Sequence, residues 1–192
     1  MFKLMRKLAF KICFVLMTMF LANVNGIAEE SSDETELNIF TGLFDFSDHK
    51  QKAGLIGVQH QNEELYRKSF LGKISPITGG FLTENNAFYL YSGVQAEYDV
   101  GFLTITPSFA PGYYNYGDGK DLGYPLEFKS EVQLTFSLSE SSHLGMSYNH
   151  ISNASLGTKN PGANSYMFNF LKQFWFNNKL TIKFKNESQR LP

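Results

Sequence analysis

The chain has 192 residues, with 17 Lys and Arg against 18 Asp and Glu, and a net charge of −1. Four of the basic residues, Lys3, Arg6, Lys7 and Lys11, precede the first acidic one at Glu29, so the remainder carries 13 basic against 18 acidic groups, near −5. That balance excludes a nucleic-acid binder, which needs a basic face to neutralise phosphates, and the single cysteine, Cys13, leaves no disulfide or cysteine metal site beyond the leader.

In chain order, the basic start, the apolar run Ile12–Ala22 and the small residues Gly26 and Ala28 predict a secretory signal peptide over 1–28. Its apolar core is shorter than the roughly 20 residues that a membrane-spanning helix needs. A polar, acidic lead-in is expected over 29–36. From there the chain repeats one pattern, in which segments rich in Phe, Tyr, Val, Ile and Thr alternate in polarity and are punctuated by turn clusters such as "TENN", "DGKDLG" and "TKNPG". The predicted strands are Asn38–Phe46, Ala53–Gln61, Ile74–Thr83, Ala87–Asp99, Phe102–Tyr114, Leu126–Leu138, His143–Asn153 and Asn164–Phe174. They place a barrel over 37–176 and a C-terminal extension over 177–192, in which Leu180–Phe184 is a further apolar run.

The two faces of these strands bear on whether the sheet is soluble or membrane-bound. In the sixth, Leu126, Phe128, Val132, Leu134, Phe136 and Leu138 share one side, while Glu127, Lys129, Glu131, Gln133 and Thr135 share the other. Long amphipathic strands in even number, an export signal and polar opposite faces predict an all-β fold. The expected form is an eight-stranded antiparallel up-and-down barrel in the bacterial outer membrane, apolar outside and polar within. A soluble barrel with an apolar interior is the competing reading. Eight strands leave an interior that side chains fill, so chemistry is expected on the outside or at the rim.

The stretch "SYNHISNASLGTKNPGANSY", Ser147–Tyr166, holds more polar chemistry than a hairpin needs. His150 and Ser152 are two apart and share the face of Leu144, Met146 and Tyr148, which is the lipid side. Asn164 begins the next strand on the same face and can lie beside His150. A hydroxyl, an imidazole and an amide carbonyl in a row can make an activated serine nucleophile. Asn153, Asn160 and backbone N–H groups of "NASLG" are candidates for an oxyanion hole. The plainer reading is that polar residues gather where a strand leaves the membrane. Spacing leaves both open. His49, His60 and His143 are scattered, Asp118 and Asp121 lie in a turn where solvation is expected, and no motif calls for a metal or cofactor.

"HISNASLGTKNPGANSY" resembles the signature of the lipid A 3-O-deacylase family, the PagL-type outer-membrane acyl hydrolases. The segment Leu103–Phe136, with its "TPS", "GYY" and "LGYPLEFKS" blocks, resembles the same family. The resemblance implies an eight-stranded outer-membrane barrel whose catalytic groups face lipid. It also implies hydrolysis of the 3-position ester of lipid A without metal or cofactor, and lipid A or lipopolysaccharide and membrane lipid as partners of a monomer or homodimer. On matching positions Ser152 would be nucleophile and His150 general base. Asn160 and the backbone around Ser155 would form the oxyanion hole, with Asn153 holding the turn. The family's third member is typically a glutamate, and here Asn164 stands in its place. An amide can orient imidazole but cannot stabilise imidazolium by charge, so weaker turnover is expected. The alternative is a catalytically inactive barrel with a structural or lipopolysaccharide-binding role.

Overall fold

A computed structural model of the chain describes residues 34–48, 51–62, 67–69 and 72–175. The predicted leader and the run Leu180–Phe184 lie outside the described residues. All regular structure among the described residues is strand: β1 Glu34–Phe44, β2 Ala53–Asn62, β3 Arg67–Ser69, β4 Gly72–Thr83, β5 Phe88–Val100, β6 Leu103–Asn115, β7 Leu126–Ser139, β8 Ser142–Ser152 and β9 Ala163–Trp175. β3 is a three-residue piece on the edge of β4, and the other eight match the eight predicted strands to within a few residues.

Every pairing is antiparallel and joins sequence neighbours, except that β1 also pairs with β9 and β2 pairs with β4 past the short β3. The ladder from Leu55↔Thr83 to Gln61↔Ile77 joins β2 to β4. The result is a closed eight-stranded barrel. Closure matters because an unpaired backbone N–H or C=O in hydrocarbon costs several kcal/mol.

Period-two alternation sorts the side chains. Outside stand Ile39, Leu43, Ile56, Val58, Leu82, Leu90, Val94, Val132, Leu134, Met146, Phe168 and Phe170, an apolar belt open to the surroundings. Glu127, Lys129, Glu131, Gln133 and Thr135 are buried inside, as parity predicts. The interior has two layers, one a polar network and the other mainly aromatic rings around the buried Glu127. Toward the ends of β1, β5 and β7 remote from the β8–β9 loop, Gln59, Gln61, Gln95, Asn38, Gln133 and Asn169 hydrogen-bond across the lumen. Lys129 Nζ lies 3.3 Å from Glu131 and 4.0 Å from the Tyr91 ring centroid. Nearer that loop the lumen is closed by rings, with Phe44 packed on Phe81 (5.7 Å) and Tyr114 (6.0 Å), and Phe81 on Tyr89 (5.7 Å).

The first strand departs from expectation. β1 starts at Glu34, inside the segment 29–36 read as lead-in, and pairs with β9 as far as Trp175. Glu36 points into the lumen and is buried. In a barrel with a polar interior an acidic residue can belong to a strand, so polarity alone does not separate lead-in from β1.

Candidate active site

β8 and β9 set His150 directly opposite Asn164 and Tyr148 opposite Tyr166, while β7 sets Phe128 opposite Ser152 and Ser130 opposite His150. All of these even-numbered residues point outward, so the row lies on the lipid-facing wall near the loop end of the barrel. His150 Nδ1 is 2.8 Å from Asn164 Oδ1. The same oxygen accepts the Tyr148 hydroxyl at 2.9 Å, and Asn164 Nδ2 donates to Ser47 Oγ at 3.4 Å. Ser152 is half-buried at the end of β8. Among the described residues no hydrogen bond joins it to His150.

The loop that follows is held tightly. Asn153 is wholly buried, its N–H donates to Asn160 Oδ1 at 3.0 Å, and its amide donates to the carbonyls of Leu122 (2.7 Å) and Lys159 (2.9 Å). Leu156 N–H returns to Asn153 O at 2.9 Å across Ala154 and Ser155, whose φ angles are 51° and 61°. Two successive positive-φ residues across such a bond are the hallmark of a type I′ turn, which normally takes Asn or Gly. Here Ala and Ser hold it, each at a cost of about 1–2 kcal/mol. The Asn160 amide oxygen is taken by Asn153, so its NH₂ group remains as the donor.

The Pro-Gly of the motif also has a structural reason. Gly162 has φ of 64°, and a Cβ there would stand 2.8 Å from His150 Cε1. Only glycine lets the chain turn into β9 flush against the imidazole edge. Neighbouring loops are sewn to this one. Lys159 Nζ pairs with Asp121 at 2.7 Å, Lys120 with Asp45 at 2.6 Å, and Phe46 N–H with Asn164 O at 3.1 Å. Asp121 is thus ion-paired where solvation alone is expected, and Asp118 accepts from Asn86 at 3.0 Å. The Lys159 ammonium, and after it the Gly123 N–H, hold the Asp121 carboxyl below the usual carboxylate range.

Sequence reasoning brought His150 and Asn164 together correctly and put Ser152 on their face. It missed Ser47, delivered from the β1–β2 turn by barrel closure, and the ring cluster of Phe46, Tyr148 and Tyr166 around the site. Phe46 and Tyr166 are 4.3 Å apart, and Tyr148 and Tyr166 5.2 Å. Tyr148 was visible on the correct face, but nothing in the spacing pointed its hydroxyl at Asn164.

A closed barrel with an apolar belt and a side-chain-filled lumen is a β-barrel of the outer-membrane class, and this one carries an imidazole–amide pair on its outer wall. The sequence profile of the lipid A 3-O-deacylase (PagL) family matches residues 42–173, and the chain belongs to that family. The crystal structure of the outer-membrane enzyme PagL is similar, with a TM-score of 0.55 at 16% identity over 71% of this chain and 98% of that one. Two structures of de novo designed transmembrane β-barrels, one of them a solution NMR structure, match with TM-scores of 0.50 at 10% identity, over 77% of this chain and 100% and 99% of theirs. These likenesses show the fold. No curated protein matches the sequence.

Proposed function

We propose that the protein is an outer-membrane lipid A 3-O-deacylase working by serine chemistry on the outer face of the barrel. Ser152 Oγ attacks the ester carbonyl at the 3-position, and His150 Nε2 takes the hydroxyl proton while Asn164 Oδ1 holds Nδ1–H. The Asn160 NH₂ and backbone N–H groups around Ser155 stabilise the tetrahedral oxyanion. Collapse breaks the ester bond, and the imidazolium returns its proton to the departing 3-hydroxyl of lipid A. Water, deprotonated by His150, then releases the 3-hydroxy fatty acid from Ser152. No step requires a metal or cofactor.

The observation that carries this reading is the His150–Asn164 hydrogen bond of 2.8 Å on the lipid-facing wall, one residue pair from Ser152. An ionisable group facing lipid is costly and is a candidate functional residue by default. Long connections at the site end (45–52, 116–125 and 153–162) and the two-residue turns 101–102 and 140–141 at the other fit loops outside and turns in the periplasm. That orientation sets the row at the outer leaflet, where lipid A resides. Purified barrel in detergent micelles with lipid A should release free 3-hydroxy fatty acid, and Ser152→Ala should not. Folded wild type that leaves lipid A intact would sink the reading and favour the non-catalytic barrel.

A further inference from the structure

The geometry points to Tyr148 as a positioning residue that fixes which way round the Asn164 amide faces His150, and so which imidazole nitrogen carries the proton. This rests on the reading of Ser152 and His150 as nucleophile and base. A carboxylate in the third position presents two equal acceptors and has no wrong orientation. An amide has one, since turning Asn164 over would present NH₂ to His150 Nδ1. Nδ1 would then need to be the lone-pair nitrogen, and the proton would sit on Nε2, the atom that must accept it from Ser152. Asparagine therefore brings a requirement that the family's usual glutamate does not.

Tyr148 meets that requirement. Its hydroxyl lies 2.9 Å from Asn164 Oδ1, alongside His150 Nδ1 at 2.8 Å, while Asn164 Nδ2 reaches Ser47 Oγ at 3.4 Å. A phenol is a better donor than acceptor, so it favours the carbonyl side of the amide toward itself and hence toward the imidazole. Ser47, able to accept, suits the NH₂ side. The Tyr148 ring is fixed against Tyr166 at 5.2 Å and Phe46 at 6.4 Å, which aims the hydroxyl. Surrounding hydrocarbon offers no competing hydrogen bonds, so the bias is stronger than it would be in water.

The test uses Tyr148→Phe, which keeps the ring and removes the donor. In ¹⁵N-histidine-labelled barrel folded in micelles, with His150 assigned by its loss in His150→Gln, wild type should carry its neutral proton on Nδ1. Tyr148→Phe should mix or reverse the tautomers, and kcat on lipid A should fall about five- to tenfold, the effect of one hydrogen bond, with KM within about twofold. In Asn164→Asp, Tyr148→Phe should leave the tautomer unchanged and cost at most about twofold. Wild-type His150 already protonated on Nε2 would overturn the inference. An unchanged tautomer in Tyr148→Phe, or equal losses in both backgrounds, would also overturn it. The nitrogen spectra decide this even if wild type proves inactive, an outcome that would sink the deacylase reading alone.

Discussion

The barrel has polar groups on both of its walls, and they differ in what accounts for them. Inside, Lys129, Glu131, Gln133, Asn38 and Asn169 bond mainly to one another in a lumen too narrow for anything but side chains. The architecture alone explains them, because an eight-stranded wall facing lipid must fill its interior. Outside, His150, Ser152, Asn164 and Tyr148 interrupt an apolar belt in which Leu, Val or Phe would serve the fold equally well. The same residue types thus fill the lumen on one wall and face lipid on the other, and the parity of the strand decides which.

Substitutions on the two walls should therefore separate stability from activity. The largest expected effect is outside. Ser152→Ala should reduce deacylation by a factor on the order of 10³ or more in a fatty-acid release assay, with unfolding in urea unchanged. Inside, Lys129→Met strands Glu131 without its cation and should cost about 3 kcal/mol in urea unfolding in micelles, while turnover per folded molecule stays within about twofold. A Lys129 variant with intact stability and lost activity would break the comparison.

Smaller effects sharpen it. Asn164→Glu should raise turnover on the order of tenfold, because a carboxylate adds the charge stabilisation of imidazolium that an amide lacks. A fall would mean that the amide is the better partner in this site. Ser155→Gly removes left-handed strain at a non-glycine position, partly offset by the greater freedom of glycine when unfolded. It should stabilise by about 0.5–1 kcal/mol in thermal or urea unfolding.

Smallest is the surface pair of Lys159 and Asp121. The folded-state value of Asp121 is lowered, so its contribution is complete above the usual aspartate range near pH 4 and is lost as pH falls through the lowered value. Asp121→Asn should cost no more than about 0.5 kcal/mol near neutrality, less in high salt, and nothing at strongly acidic pH.

The strands were legible because a wall between lipid and a filled lumen enforces a strict period of two. Parity alone therefore put His150 and Ser152 on the lipid side. It failed where both sides tolerate polarity, as at Glu34–Glu36, and it gave no sign of the ring layer of Phe44, Phe81, Tyr89 and Tyr114 that closes the lumen beneath the loops. In the site, the register that pairs His150 with Asn164 followed from one hairpin. Ser47 did not, because the contact spans 117 residues and exists only once β1 closes on β9. A turn after Asn153 was expected, but the left-handed backbone of Ala154 and Ser155 was invisible, since neither residue is one that positive φ favours.

If the outer wall does chemistry on lipid A, membranes that contain the folded barrel carry altered lipid A. Mass spectrometry of lipid A from bacteria producing wild type or Ser152→Ala, with heat-modifiable gel mobility showing both folded in the outer membrane, tests that directly. Loss of one 3-hydroxyacyl chain in wild-type membranes and its retention with Ser152→Ala is the predicted result. Identical lipid A profiles from the two, either both intact or both deacylated, would contradict it.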